Sequence, residues 1–439
     1  MQDQMLEAIR EKLGDAVREP FPPLVTRDTT AVQVPRKANA VIGMRRSGKT
    51  YFLYQCLAER LARGSPRESL VYFNLEDERL AALRAADLGV VLDEYYRRFP
   101  AFRRAARVTW CFDEIQTVPG WERFVRRVLD TEAVEVFLSG SSARMLSREL
   151  ATSMRGRAME TVVTPYSFRE FLRARGDLNT QPTELADARA QSRLNARLDE
   201  YLHVGGFPEA VALAQEAPRV RLLQGYVDSV LFRDVVERHG IANVIALRAL
   251  ARQLLRNPAS SLSVSKLYAD FHSRGIAVSK ESLLGLVEHL VDAFLVFTLP
   301  VAARSERRRQ VNPRKVYLAD HGLAVAFSPA AGLDRGHLLE NVVACELARR
   351  SRDLAYVRTA SGYEVDFLAT DFEGRELLLQ VVSETASRQT LEREVRALFE
   401  AVREHPEAEA VLLLERIPSE LPALPKGARV MPVWQWLLE

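Results

Sequence analysis

In the first third of the chain, short apolar runs at residues 40–42, 69–75, 108–112, 134–138 and 159–163 alternate with amphipathic stretches. Short runs bounded by polar residues predict buried strands, and apolar positions recurring every three or four residues predict helices. The helix expected after residue 50 places Phe52, Leu53, Cys56, Leu57 and Leu61 on one face. Strand and helix in alternation give an α/β sheet wound on both faces. Residues 174–200 are polar and helix-prone, a linker, and 195–240 read as helical apart from HVGGFPEA at 203–210. Residues 243–325 read as three helices and a hairpin. The third helix is capped by Ser279, with Leu283, Leu284, Val287, Leu290 and Val291 as its core face. Residues 334–439 alternate helix and strand again, a second α/β unit. The expected domains are an α/β core at 1–173, a helical linker and lid at 174–242, a helix-and-hairpin module at 243–325 and a last unit at 334–439.

Candidate chemistry sharpens the first domain. The strand at 40–42 runs into GMRRSGKT at 43–50 and then into a helix, which is the P-loop pattern in its required strand–loop–helix context. Its glycines allow backbone N–H groups to curl around phosphate oxygens, and the helix N-terminus adds its positive end. Lys49 is placed to reach the β- and γ-phosphates of ATP and Thr50 to ligate Mg²⁺. Gly43, Arg45, Arg46, Ser47, Gly48 and Tyr51 complete the candidate nucleotide contacts. A P-loop calls for a second acidic element at the end of a neighbouring strand, and Asp113-Glu114 supplies it. Asp113 is expected on Mg²⁺ and Glu114 on the attacking water. The next strand ends in Ser139-Gly-Ser-Ser142. Ser139, with Ser141 close behind, is the candidate polar residue beside the γ-phosphate, although both also suit an N-cap. Arg155 and Arg157 precede the last strand of this domain. With Arg233 they are candidates for an arginine finger acting across a subunit interface, so a homo-oligomer is expected. A surface turn accommodates Arg155 and Arg157 equally well.

Charge changes the picture in the middle of the chain. The whole chain carries a formal net charge of +3, yet residues 243–325 hold 12 basic and 6 acidic side chains, 12 − 6 = +6. The remainder is therefore net acidic. Arg304, Arg307, Arg308 and Arg309 on the hairpin tip suit DNA phosphates, and Lys280 and Ser282 at the start of the third helix suit a groove. A solubilising tip on a packing module is the plainer alternative. The three cysteines, Cys56, Cys111 and Cys345, show no metal-ligand spacing and read as buried small apolar residues. The most apolar stretch, from Leu286, is interrupted by Glu288, His289 and Asp292, and the N-terminus has no signal-peptide core. No membrane partner and a cytoplasmic location are expected.

Several of these segments, in order, resemble one family. GMRRSGKT, CFDEIQ, LSGSSARML, RGR, TPYSFREFL, YLHVGGFPEAV, VYLADHGL, GHLLENVVACEL and EVDFL are similar to bacterial and archaeal AAA-type ATPases that carry a C-terminal DUF4143 region. The resemblance covers nearly the whole chain. It implies an ATPase core with a helical lid, a winged helix at 243–325 and a unit similar to PD-(D/E)xK nucleases at 334–439. Met44 stands where many members have Pro. In a nuclease of this kind Asp366 and the residue at 380 bind Mg²⁺, a helical carboxylate stands near the position of Glu340, and a lysine at 382 polarises water or phosphate. Here those last two positions, 380 and 382, are Gln380 and Val382, and no lysine lies between Lys315 and Lys426. The expectation is a vestigial, inactive unit; Glu340 and Asp366 suit structural carboxylates that cap or pair locally as the plainer alternative. The resemblance implies no defined biological role; with the basic middle module, the favoured expectation is an ATP-driven, DNA-associated motor or remodeller, with junction processing as one form. The alternatives are an ATP-dependent switch that binds a protein partner, and a metal-dependent nuclease with a migrated catalytic residue.

Overall fold

The computed structural model describes residues 2–140, 154, 156–177, 187–303, 305, 307, 309, 312–328 and 332–439. The chain divides into two compact units, Met1–Thr164 and Pro165–Glu439. The helix Phe168–Ala174, which ends at the expected boundary of the first domain, packs within the second compact unit.

The first unit holds five parallel strands: β1 (Ala38–Ile42), β2 (Leu70–Asn74), β3 (Val108–Asp113), β4 (Val134–Ser139) and β5 (Ala158–Val162). Their order is β2-β3-β4-β1-β5. Every residue of β1 and β3 is buried, which accounts for their largely apolar sequences, with Asn39, Thr109 and Asp113 as buried polar exceptions. The helix Lys49–Ala62 buries Phe52, Leu53, Cys56 and Leu57 as its spacing predicts, but Leu61 is 41% exposed. Leu61 sits in the last turn, next to Arg60, which is the side chain buried at that end. Because β4 lies between β1 and β3, the end of β4 is interposed between the loop after β1 and the acidic end of β3. That order positions the candidate site.

The second unit begins with helices. Ser167 accepts from the Glu170 N–H while the Glu170 side chain accepts from the Ser167 N–H, a capping box that starts Phe168–Ala174. The helices Ala188–Val204, Pro208–Ala212 and Glu216–Ser229 follow. Val230–Val236 is a π-helix, which periodicity did not foresee. The two glycines of HVGGFPEA answer a close approach. A Cβ at Gly205, where φ is +81°, would stand 2.3 Å from the Asp320 carboxylate, and one at Gly206 would stand 2.4 Å from the Tyr166 carbonyl. Asp320 accepts from the N–H groups of Gly206 and Gly322, which fastens this turn to the segment after the hairpin.

Three side-chain-capped helices come next: Val244–Arg256 under Asn243, Val264–Ser273 under Ser263 and Lys280–Asp292 under Ser279. Leu283, Val287 and Leu290 are buried in the third helix, whereas Leu284 is 48% exposed. The hairpin strands are β7 (Val296–Leu299) and β8 (Arg314–Leu318), and a short β6 (Ser260–Leu262) adds a third, unforeseen strand in the antiparallel order β6-β8-β7. The last sheet contains β9 (Ser351–Arg358), β10 (Glu364–Asp371), β11 (Glu376–Val382), β12 (Glu409–Leu414) and β13 (Arg429–Pro432), ordered β13-β12-β11-β10-β9. β9, β10 and β11 pair antiparallel, while β11, β12 and β13 pair parallel, with the helix Arg388–Glu404 connecting β11 to β12. Helices Arg335–Arg350 and Arg388–Glu404 pack on this sheet. Cys56 and Cys111 are buried, but Cys345 is only partly so. Among the described residues no helix is long and apolar enough to cross a membrane.

Candidate functional site

The loop 43–48 turns sharply between β1 and its helix. Gly43 has φ +145°, Arg46 +66° and Gly48 +101°. A Cβ at Gly43 would stand 2.1 Å from the Val163 carbonyl oxygen, so only glycine fits there. Gly48 is the left-handed N-cap residue, leaving the first N–H groups of the helix directed at the loop. Lys49 is 7% exposed, and its ammonium donates to the carbonyls of Gly43 and Met44, each at 3.1 Å. Ser47 is buried, Arg45 half-buried and Arg46 exposed. Tyr51 is exposed beside Tyr54.

Asp113 is the hub of the site. It is 3% exposed at the end of β3. Oδ2 accepts from Thr50 Oγ1 at 2.8 Å and from the Tyr72 hydroxyl at 2.7 Å, and Oδ1 accepts from the Ser139 hydroxyl. The strand order explains the set: β2, β3 and β4 are neighbours, Asp113 and Ser139 end adjacent strands, and Tyr72 lies on β2 two residues before Asn74, the partner of Asp113. The structure thus brings Thr50, Asp113 and Ser139 together as their sequence motifs predict, and adds Tyr72. Burial, then the Asp113 charge, pushes the Tyr72 phenol far above its usual range, so it stays a donor. Tyr72 was legible only as an apolar strand position. Glu114, in the left-handed region at φ 54°, accepts from the Gln116 carboxamide. Behind the loop, buried Arg27 donates to the Ser47 carbonyl at 3.3 Å and to the Thr164 carbonyl, a brace that no motif announces.

Of the arginine-finger candidates, Arg155 lies outside the described residues, as does Ser141. Arg157 precedes β5 and pairs with Asp130 at 2.5 Å. Its carbonyl accepts from the Ala38 N–H, at the start of β1. The P-loop follows the other end of β1, about 16 Å away at the rise of a five-residue strand. Arg157 is therefore remote from its own chain's loop. Arg233 is exposed within the π-helix. On the basic module, Arg304 and Arg308 lie outside the described residues. Arg309 is 3.5 Å from Asp353, and Arg307 is exposed. The Ser282 N–H and hydroxyl both bond to Ser279, and the Lys280 ammonium sits 5.5 Å from the Tyr268 ring centre.

A second polar cluster forms in the last unit. Glu340, Asp366 and Gln380 come together there and are all buried. Gln380 Nε2 donates to Asp366 Oδ2 at 3.0 Å and to Glu394 at 2.9 Å. The residue that sequence reasoning missed is Lys315 of β8. Its ammonium lies 3.0 Å from Glu340, 2.8 Å from Glu364 and 3.4 Å from Asp366. The Tyr317 hydroxyl donates to Glu340 at 2.7 Å. Burial, then the Asp366 charge, pushes the Glu340 carboxyl up to about 8, and burial also raises Asp366. Val382 instead joins an apolar cluster with Val395, Leu398 and Leu414. The available signal was the alternation in Lys315-Val-Tyr317, which puts two polar residues on one face of an otherwise apolar strand.

Comparison with known proteins follows the same succession. A model of an AAA domain matches residues 35–172, and two domains of unknown function, DUF8612 and DUF4143, match residues 195–334 and 335–436. An uncharacterized protein of Methanocaldococcus jannaschii, MJ1544, is 33% identical over 386 residues, which cover 87% of this chain and 82% of that one. An uncharacterized protein of Haemophilus influenzae is 28% identical over 345 residues, 78% of this chain and 80% of that one. The solved structure of the Walker-type ATPase PABY2304 of Pyrococcus abyssi aligns with a TM-score of 0.42 at 16% identity, covering 73% of this chain and 95% of that one. The front of the chain is an ATP-binding and hydrolysing AAA-type domain, joined to a DUF4143 region.

Proposed function

The chain belongs to one family with the uncharacterized M. jannaschii protein MJ1544, and we propose that this AAA-type ATPase with its DUF4143 region is a Mg²⁺-dependent ATP hydrolase that acts on DNA as an oligomer. One observation carries the hydrolytic part: Thr50 and Asp113 converge at 2.8 Å where the P-loop helix begins. Both offer hard oxygen donors, the chemistry that suits Mg²⁺. When bound, that ion neutralises charge on the β- and γ-phosphates. Loop N–H groups and Lys49 hold the phosphates, with Gly43, Arg45, Arg46, Ser47, Gly48 and Tyr51 around them. Glu114 takes the proton of the water that attacks the γ-phosphorus, and the bond to the bridging oxygen breaks to leave ADP and phosphate. Ser139 supports the γ-phosphate side. The remoteness of Arg157 from its own loop supports a finger supplied by a neighbouring subunit, with Arg155 and Arg233 as the other candidates.

Residues 243–325 suit a winged helix, supported by three capped helices on a three-stranded sheet and by the +6 charge. Arg304, Arg307, Arg308, Arg309, Lys280 and Ser282 are the DNA-facing candidates, and 334–439 is a nuclease-like unit without cleavage activity. The test is the ATPase rate with and without single-stranded, duplex and branched DNA, with Lys49→Ala as the blank. Stimulation by one form is the expected result. A second reading, a switch whose C-terminal region binds a protein, has one observation in its favour. Ser282 is engaged in its cap and Arg309 sits beside Asp353, which leaves fewer groups for phosphate. A rate indifferent to every DNA selects that reading.

A further inference from the structure

We propose that Lys315 is a resident cation of the C-terminal unit: its ammonium occupies the gap between Glu340 and Asp366 that a divalent ion would need. The nuclease-like carboxylates then serve as the socket of an internal ion pair. This inference concerns the last unit alone and stands whether or not the chain acts on DNA.

The stoichiometry of donors fits. An ammonium has three N–H donors. Lys315 faces three carboxylates, Glu340 at 3.0 Å, Glu364 at 2.8 Å and Asp366 at 3.4 Å. The side chain is 7% exposed, so water does not share the work. The remaining polar atoms are turned away from metal binding. Asp366 Oδ2 accepts from Gln380 Nε2 and from the Val381 N–H, each at 3.0 Å. Gln380 presents its amide nitrogen to Asp366 and Glu394, while its oxygen, the atom that ligates metals, accepts from the Asp366 N–H at 3.3 Å. A Mg²⁺ ion requires oxygens near 2.0–2.1 Å in octahedral array. Among the described residues no group of three His, Cys, Asp or Glu is arranged to hold a metal. The residues present therefore do not fit the ion that the nuclease resemblance implies.

The substitution at 382 belongs to the same rearrangement. Val382 belongs to an apolar cluster with Val395, Leu398 and Leu414, which a charged side chain would enter at a desolvation cost. The cation enters instead from β8, and its contacts fasten the basic hairpin to helix Arg335–Arg350 and to β10. The carboxylates persist because removing them would leave Lys315 buried without a partner.

The test is Mn²⁺ binding to the full chain without nucleotide, followed by the spin-resonance signal of free Mn²⁺. The wild type is expected to bind the same number of ions as Asp366→Asn. Lys315→Met is expected to gain one equivalent, and adding Asp366→Asn to it should remove that equivalent. A Lys315→Met chain that folds and gains no ion overturns the proposal. So does a wild-type equivalent that Asp366→Asn abolishes, or Mn²⁺-dependent DNA nicking that Lys315→Met abolishes, since that result makes the lysine catalytic. If Lys315→Met does not fold, the comparison of wild type with Asp366→Asn, supplemented by Glu340→Gln, decides without it.

Discussion

Glu114 follows directly on a carboxylate that Thr50, Tyr72 and Ser139 hold by hydroxyl hydrogen bonds. The two acids are thereby separated in role. Asp113 is fixed and buried, while Glu114 projects from a left-handed turn. Replacing Glu114 with Gln keeps shape and removes the base. Phosphate release should fall by about 10²–10⁴-fold with ATP affinity retained, which turnover and nucleotide-binding assays separate. A second residue-scale expectation concerns pH. Glu340 faces Lys315, Tyr317 and Asp366, and its carboxyl rises from an ordinary 4.5 to about 8, chiefly through burial. The folded chain thus keeps a proton that the unfolded chain has lost across that interval. Its contribution to stability is complete below 4.5 and is lost as pH rises through 8. Urea unfolding of Glu340→Gln should show a flatter decline over that window than the wild type.

Among elements, the P-loop helix is held to the sheet by one buried pair. Arg60, near the C-terminal end of Lys49–Ala62, donates Nε and Nη2 to the two oxygens of Glu135 on β4, each at 2.5 Å. The guanidinium also lies 4.8 Å from the Phe137 ring centre. Both side chains are 10% exposed, so solvent screens them little. Arg60→Ala removes the guanidinium from the buried Glu135 carboxylate and leaves it the Thr109 hydroxyl at 3.3 Å, and should cost about 3–5 kcal/mol in the unfolding of the unit Met1–Thr164. The paired change Arg60→Leu with Glu135→Leu should recover most of that loss. Element boundaries were mostly legible, because burial of one face imposes a period on the sequence. The misses have local causes. Leu61 and Leu284 fall on helical faces that no neighbour covers, and β6 is three residues long, too short to show alternation.

For the whole molecule, the charge distribution sets how DNA should act. The positive excess lies on 243–325 in a chain that is otherwise net acidic. On the proposed reading, DNA contact there would be electrostatic and therefore weakened by salt. Neutralising Arg307 and Arg309 together should reduce DNA stimulation of the ATPase and lower the slope of log affinity against log salt by about 2, as filter binding over a salt series would read. An unchanged slope would place the DNA contact elsewhere or dismiss it.

The amino-acid sequence by itself determined the phosphate-binding loop, the acidic strand end and the succession of α/β core, helices and second α/β unit. These features are encoded within a few consecutive residues: glycines where φ must be positive, a lysine at fixed spacing, apolar runs that must be buried. Only the tertiary structure decided who meets whom across the sheet. Tyr72 reaches Asp113 because β2 and β3 pair, and Ser139 does so because β4 is interposed. Lys315 looked like one polar residue in a hairpin strand, while the position of a nuclease's lysine held Val382. Folding brings that strand against a helix and a strand from further along the chain, and one ammonium meets three carboxylates. Such a cluster is invisible to motif spacing, because burial penalises unpaired charge without regard to where in the sequence its partner comes from.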